Sequence, residues 1–244
     1  MIFQYDEPLT GARLVKRYKR FLADIVLPDG SEVTAHCGNP GAMTGLADPG
    51  SHIWVSPNRN PKAKLSWRWE IATQTTPDGP VRVGINTNLA NRIVEAALHS
   101  SSISELAGYG TIAREVKYGT RNSRIDFLLT GDDRPDCYVE VKSVTLRRPD
   151  GDDPSAAQFP DARTERGAKH LAELSDIAAG GGRAVMLYLA QRADCDHFSL
   201  ARDIDPAYAK AFLEAQDAGV EILCYHCDPM PEGIQRILPL ERRD

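Results

Sequence analysis

The chain has 244 residues, of which 42% are hydrophobic and 26% charged, and its formal net charge is −5. This balance indicates a globular protein of one large or two small domains and excludes a fibrous or disordered chain. The N-terminal segment lacks the basic and apolar regions of a signal peptide, and the longest apolar run, residues 184–190, is too short to span a membrane. We therefore expect a cytoplasmic protein without membrane association.

Short β-like runs separated by turn residues occupy the first third of the chain. A hairpin is predicted where Pro28, Asp29 and Gly30 separate two such runs. The runs lie at residues 21–27, 32–36, 53–56, 65–75 and 81–86. Several short strands at this spacing favour a small barrel, and we predict an OB-fold-like domain over residues 1–82.

The pattern changes after residue 86 to alternating helices and strands. Helices are predicted at residues 88–99, from Thr164 to the glycines at 180–182, and from the N-cap Asp205 to Gly219. The predicted strands are residues 112–118, 124–129, 137–144, 184–190 and 220–225. We therefore predict an α+β protein of two domains, in which residues 83–244 form an α/β domain with a mixed sheet.

Three charged residues occupy two neighbouring predicted strands of the second domain. The alternation of a strand places Glu140 and Lys142 on one face, and Asp126 lies between the apolar residues Ile125 and Phe127. If the strands pair, the two carboxylates can converge on one cation, and oxygen ligands favour Mg²⁺ or Mn²⁺ over zinc. Such an ion activates water against a phosphodiester, while Lys142 stabilises the developing charge.

A structural ion pair within the sheet is the alternative interpretation of these residues. An acidic residue followed fourteen positions later by Glu-x-Lys, with helices on both sides, is the PD-(D/E)xK nuclease arrangement. The sequence therefore favours a catalytic metal site at Asp126, Glu140 and Lys142. Two further carboxylates are candidates for an additional ligand: Glu95 on the first helix and Glu115 on the first strand of this domain.

Positive charge is concentrated near the N-terminus. Residues 1–82 contain 10 Lys and Arg against 8 Asp and Glu, whereas residues 83–244 contain 19 against 26. Clustered basic residues neutralise phosphates, and adjacent aromatic residues can stack on bases, so we predict DNA contacts here without excluding RNA. The predicted contacts are Arg13, Lys16, Arg17, Lys19, Arg20, Lys62 and Lys64, with Arg166 and Lys169 on the later helix. The alternative is an ordinary solvated surface.

Seven segments resemble the sugar fermentation stimulation protein family, SfsA, in order along nearly the whole chain. They are residues 16–21 (KRYKRF), 36–43 (HCGNPGAM), 86–87 with Asn91, 123–129 (SRIDFLL), 139–146 (VEVKSVTL), 159–162 (FPDA) and 166–171 (RGAKHL). The resemblance implies an N-terminal OB-like domain, a C-terminal PD-(D/E)xK-like domain, DNA binding and a link to control of sugar, particularly maltose, metabolism. It leaves open whether the family cleaves DNA.

This sequence departs from the family pattern in two places. Gly38, Pro40 and Ala42 stand where the family usually has Pro, Thr and Ser, so these positions of the loop supply no hydroxyl group. Ala63 replaces a usual basic residue between Lys62 and Lys64, which weakens that patch by one charge. The three residues of the predicted metal site show no such departure.

Overall fold

A computed structural model describes residues 1–118 and 123–243. The strands are β1 (Phe3–Gln4), β2 (Thr10–Tyr18), β3 (Leu22–Val26), β4 (Glu32–Cys37), β5 (His52–Pro57), β6 (Trp67–Thr76), β7 (Gly79–Gly84), β8 (Thr111–Tyr118), β9 (Ser123–Thr130), β10 (Cys137–Val144), β11 (Ala156–Phe159), β12 (Arg183–Ala190), β13 (His197–Leu200), β14 (Glu221–Met230), β15 (Gly233–Pro239) and β16 (Glu241–Arg242). The helices are α1 (Thr87–His99), α2 (Glu165–Ala179) and α3 (Pro206–Asp217).

Strands β2 to β6 form a closed barrel. They are hydrogen-bonded in the order β4-β3-β2-β5-β6, and a parallel pairing of β4 with β6 completes the circle. Alternate residues point inward, as the barrel requires. Leu14, Ile25 and Trp69 are among the fully enclosed side chains. Strand β7 extends the sheet as a hairpin partner of β6. The predicted OB-like architecture is therefore present.

A seven-stranded mixed sheet forms the second part of the molecule. Its strand order is β1-β15-β14-β12-β10-β9-β8, with β10, β12 and β14 parallel and the other pairings antiparallel. Apolar residues of α1 pack on one face of this sheet, and those of α2 and α3 pack on the other. The predicted apolar strand is β12, which lies between two parallel neighbours and is buried on both faces.

The helix ends follow the predicted capping residues. The Thr164 hydroxyl accepts a hydrogen bond from the Gly167 amide at 3.0 Å, and the Asp205 carboxylate accepts one from the Tyr208 amide at 3.0 Å. Both caps satisfy amides that have no partner within the helix. The Asp205 carboxylate also accepts from the Thr164 amide at 2.8 Å, which joins the starts of α2 and α3. In residues 1–118 and 123–243, no helix combines the length and apolar character needed to cross a bilayer.

Several strands were not predicted from the sequence. Strand β2 contains most of the basic segment, and its charged outer residues interrupt the apolar alternation by which strands are recognised. Strand β1 lies at the start of the chain but pairs with β15 at the edge of the second sheet. Strands β11, β13 and β16 form a separate small sheet that borders the loop leading into α2.

Candidate active site

Strand β10 presents Glu140 and Lys142 on the same face, as the alternation predicts. Val139 and Val141 lie on the opposite face in the core beneath α1. The Lys142 ammonium donates to Glu140 Oε1 at 2.6 Å. Only 4% of the Glu140 side chain and 14% of the Lys142 side chain are exposed. A charge pair this deeply buried is held in one geometry, because each member would be costly to bury alone.

Asp126 lies where β9 and β10 separate. The ladder between the two strands ends at the pairing of Phe127 with Val139. Beyond it, the Val141 amide donates to Asp126 Oδ2 at 2.8 Å, so a carboxylate takes the place of a main-chain acceptor. The Asn91 side-chain amide of α1 donates to Oδ1 at 2.7 Å. Two donors therefore fix the Asp126 carboxylate next to the Glu140–Lys142 strand.

His170 of α2 completes this cluster. Its Nδ1 is hydrogen-bonded to Glu140 Oε1 and lies 3.2 Å from Lys142 Nζ. Arg166 Nε donates to His170 Nε2 at 3.3 Å, so Nε2 is an acceptor and the neutral ring carries its proton on Nδ1. His170 then donates to Glu140 and holds that carboxylate against β10. The sequence indicated His170 only as a plausible phosphate contact or surface charge of α2, and nothing in the local pattern indicated its contact with Glu140.

The electrostatics of the two carboxylates fit a bound cation. Burial, followed by the nearby charge of Glu140, raises the pKa of Asp126 to about 6. Burial also opposes ionisation of Glu140, but Lys142 and His170 outweigh it and lower the pKa of that carboxyl. Among the described residues, the buried Glu140 Oε2 has no hydrogen-bond partner. An acceptor left unpaired beside a second carboxylate is what a hard divalent ion would satisfy.

The structure separates the two candidates for an additional ligand. Glu95 is turned toward β8, where Arg114 Nη1 donates to its Oε2 at 2.8 Å. Glu115 has a φ of 51° and lies between the pairings of Arg114 with Phe127 and of Val116 with Ile125, opposite Asp126. It lines a cavity of about 400 Å³ together with Asp126 and Glu140. Across residues 1–118 and 123–243, however, no three His, Cys, Asp or Glu side chains converge as a group able to hold a metal ion.

Asp126 and Glu140, here called the acidic pair, line a larger cleft between the barrel and the α/β domain. This cleft has a volume of about 510 Å³, and its lining includes Arg20 of the barrel, Asp126, Glu140, Lys142 and Arg166. Arg20 and Lys19 form the exposed turn between β2 and β3, both in the left-handed region, at φ of 63° and 49°. The predicted basic segment therefore reaches the cleft at its C-terminal end.

Other members of the basic segment are placed differently. The Arg17 guanidinium donates to the carbonyl oxygens of Asn39, Gly41 and Arg20 at 2.9 to 3.1 Å, so it ties the turn to the loop at the cleft. Lys16 is exposed and lies 3.5 Å from Asp24. Arg13 is exposed at a shallow groove that also contains His52, Pro28 and Gly30, rather than at the cleft.

The remaining predicted contacts lie in the β5–β6 loop and on α2. Lys62 and Lys64 are exposed in the loop that joins β5 to β6. Arg166 lines the cleft at the start of α2. Lys169 lies one turn of α2 away from Arg166 on the smaller cavity, 3.8 Å from Glu173. The structure thus brings Arg20, Arg166 and Lys169 to the acidic pair and leaves Arg13, Lys62 and Lys64 on other parts of the surface.

A closed barrel of OB type joined to a mixed α/β sheet that carries Asp and Glu-x-Lys defines a two-domain protein with a nuclease-like second domain. Two family models match the chain: "SfsA N-terminal OB domain" over residues 15–83 and "Sugar fermentation stimulation protein RE domain" over residues 88–233. The chain therefore belongs to the sugar fermentation stimulation protein family, SfsA, as the sequence motifs predicted.

Similar proteins cover almost the whole chain. A sugar fermentation stimulation protein homolog of Jannaschia sp. is 54% identical over 97% of this chain and 95% of its own length. A homolog of Paramagnetospirillum magneticum is 52% identical over 97% and 96%. The structure of SfsA from Pyrococcus furiosus in complex with Ca²⁺ matches with a TM-score of 0.85 at 24% identity, covering 100% of this chain and 99% of that one. This likeness shows that the two proteins share their fold.

Proposed function

We propose that this protein is a divalent-metal-dependent phosphodiesterase that acts on DNA. Asp126 and Glu140 hold Mg²⁺ or Mn²⁺, and Lys142 assists the reaction at the scissile phosphate. The observation that carries the proposal is the pair of buried carboxylates in the cleft, one with an oxygen that has no hydrogen-bond partner in the described chain. Two protein carboxylates suffice for Mg²⁺, which commonly completes its coordination with water and substrate phosphate oxygens.

Each residue of the cluster has a separate task in this proposal. The bound cation would polarise a phosphodiester oxygen and lower the pKa of a water molecule. Asn91 and the Val141 amide orient the Asp126 carboxylate, and His170 orients Glu140. Lys142 lines the cleft beside Glu140, and its positive charge would stabilise negative charge that develops on the phosphate oxygens.

Divalent-ion binding by this fold is supported by the Ca²⁺ named for the Pyrococcus furiosus protein. Calcium and magnesium both prefer oxygen ligands, so a site made of two carboxylates is compatible with either ion. Magnesium or manganese is proposed for catalysis because a smaller ion with tighter coordination polarises its bound oxygen more strongly. Calcium would then occupy the site without supporting the same rate.

DNA is the proposed substrate because positive side chains surround the acidic pair. Arg20 approaches the cleft from the barrel, and Arg166 approaches it from α2. Such side chains neutralise backbone phosphates regardless of sequence. A basic surface of this kind also accepts RNA, and competition between labelled DNA and unlabelled RNA of the same sequence ranks the two.

The function is tested by incubating the purified protein with supercoiled plasmid and with single-stranded DNA in Mg²⁺ or Mn²⁺. We expect cleavage that falls at least about 100-fold in Lys142→Ala, because one preorganised charge at the transition state is lost. Lys210→Ala is the matched control, since Lys210 is a lysine of α3 that also pairs with a glutamate, at 3.5 Å. DNA affinity measured in EDTA should stay within about threefold in both variants.

A wild-type protein that binds DNA but cleaves neither substrate in either metal would contradict the enzyme proposal. That outcome would favour a DNA-binding regulator of sugar, particularly maltose, metabolism genes, in which the nuclease-like domain is a scaffold, because fold and motif do not establish activity. Equal cleavage by Lys142→Ala and wild type would exclude Lys142 from the reaction.

A further inference from the structure

A second cavity, here called the junction cavity, lies between the barrel and the start of α1. Its volume is about 490 Å³. Its lining includes His36, Arg59, Arg68, Asn86, Asn88 and Arg92, and also the carboxylates of Asp6, Glu7 and Glu70. The volume lies within the range of pockets that enclose a small organic ligand. The lining combines guanidinium groups with side-chain amides, which can contact both phosphate oxygens and the edges of a base.

Two buried donors in the junction cavity have no hydrogen-bond acceptor within the described residues: Arg68 Nε and the hydroxyl of Tyr5. Burial raises the pKa of Tyr5, so its hydroxyl keeps the proton that it can donate. The Arg68 guanidinium is held 3.6 Å from Glu70, whose two oxygens already accept from Ser56 and Asn86 at 2.7 Å. Buried donors that have no hydrogen-bond acceptor beside a polar cavity favour a ligand that supplies acceptors.

An aromatic surface borders the junction cavity. The Phe21 ring is stacked on the His36 imidazole, with ring centroids 6.4 Å apart and planes 3° from parallel. Phe21 is 46% exposed, whereas the next residues, Leu22 and Ala23, belong to strand β3 of the barrel. An exposed ring beside a cavity lined by polar groups is suited to stack on an unpaired base.

At two points, residues adjacent in the chain line the cleft of the acidic pair and the junction cavity. Arg20 lines the cleft, and Phe21, the next residue, stacks on His36 of the junction cavity. Thr87 lines the cleft, and Asn86, the preceding residue, lines the junction cavity. A strand of nucleic acid that leaves the cleft past Arg20 therefore meets the aromatic surface and then the cavity.

We propose that the junction cavity binds one nucleotide of a single-stranded DNA segment that continues from the catalytic cleft. The base stacks on Phe21, and the guanidinium and amide groups contact its phosphate and its free edge. This inference rests on the proposed action on DNA and narrows its substrate to DNA with an unpaired segment, such as a single strand or a duplex with a single-stranded end. A fully paired base cannot enter, because stacking and edge contacts require it to leave the duplex.

The test compares two labelled probes in EDTA, where cleavage cannot occur: a single strand of about 16 nucleotides, which one OB barrel can accommodate, and a blunt duplex of the same sequence. Phe21→Ala and Arg92→Ala remove exposed groups and should leave the fold intact, which melting temperatures verify. Leu213→Ala is the control for Phe21, because Leu213 is an apolar side chain of α3 that is 40% exposed. Arg134→Ala is the control for Arg92→Ala, because each guanidinium lies over an aromatic ring. The Arg134 guanidinium is 5.0 Å from the ring centre of Tyr109, and the Arg92 guanidinium is 4.9 Å from that of Phe3.

We expect each junction variant to bind the single strand about tenfold more weakly, from the loss of one stack or one charged contact, with duplex affinity changed less than about twofold. The two controls should match wild type on both probes. Single-strand affinity equal to wild type in the Phe21→Ala/Arg92→Ala double variant, or an equal loss for both probes, would overturn the inference. Wild-type protein that binds neither probe would overturn the proposed action on DNA itself.

Discussion

The cleft and the β2–β3 turn both concentrate charge, but they do so in opposite ways. In the cleft, Glu140 and Lys142 are almost fully buried and have fixed partners. At the turn, Lys19 and Arg20 are exposed. Buried charges require precise pairing, so the cleft has one defined geometry suited to chemistry. Exposed charges act through their sum and are screened by salt, so the turn is suited to holding a polyanion. Substitutions in the cleft should therefore weaken metal binding and cleavage, whereas substitutions at the turn should weaken DNA binding and its salt dependence.

The largest effect is expected in the cleft. Glu140→Gln keeps the shape of the side chain but removes the charge that faces Asp126, and we expect Mn²⁺ affinity measured by calorimetry to fall at least about 100-fold. Glu214→Gln, on the exposed face of α3, should leave the Mn²⁺ titration unchanged. An unaltered Mn²⁺ affinity in Glu140→Gln would mean that any ion binds elsewhere.

A smaller effect should distinguish Glu115 from Glu95. Glu115 borders the cavity that contains the acidic pair, whereas Glu95 is paired with Arg114. Glu115→Gln removes a negative charge worth about 1 kcal/mol to a nearby cation, so we expect about fivefold weaker Mn²⁺ binding. Glu95→Gln should change the same titration less than about twofold. The reverse order would identify α1 as the source of the additional carboxylate.

A further contrast lies within the basic segment. Arg20 lines the cleft and Arg13 lies at a different groove. In fluorescence anisotropy with labelled DNA, Arg20→Ala should bind several-fold more weakly. The slope of log affinity against log salt concentration should also fall by about one, because one phosphate contact is lost. Arg13→Ala should change neither quantity appreciably. Equal losses in both variants would indicate that the whole strand, rather than its end, contacts DNA.

Arg17 should behave as a structural residue. Its three hydrogen bonds to carbonyl oxygens join the β2–β3 turn to the loop at residues 39–41. Arg17→Ala should lower the free energy of unfolding by about 2 kcal/mol, as expected for charged donors lost from main-chain acceptors. Urea denaturation with Arg13→Ala as the control measures this difference. The double variant Arg17→Ala/Arg20→Ala should combine this loss with weaker, less salt-dependent DNA binding.

Local sequence patterns predicted those features that depend on strand alternation and capping. The period of two placed Glu140 with Lys142 and put Val139 and Val141 in the core. Ile125 and Phe127 are both buried, but they belong to the two core clusters on opposite faces of the sheet. The OB-like barrel and the nuclease-like α/β domain are confirmed, as is the family.

Contacts between distant elements could not be predicted in the same way. His170 meets Glu140 only because α2 packs across β10, and the sequence of α2 does not encode which strand residue lies beneath it. Arg17 belongs to a run of basic residues, yet two of its three partners are carbonyl oxygens more than twenty residues later. The junction cavity also arises from packing, since its lining comes from both the barrel and α1. The roles assigned to the individual site residues stay predictions.

The most direct test is a crystal structure of the protein soaked in Mn²⁺, with the ion located by its anomalous scattering. The account predicts one ion between the Asp126 carboxylate and Glu140 Oε2, the buried oxygen that has no hydrogen-bond partner in the described residues. An Mn²⁺ ion bound only elsewhere, or none at the acidic pair at saturating concentration, would contradict the metal site on which the proposed catalysis depends.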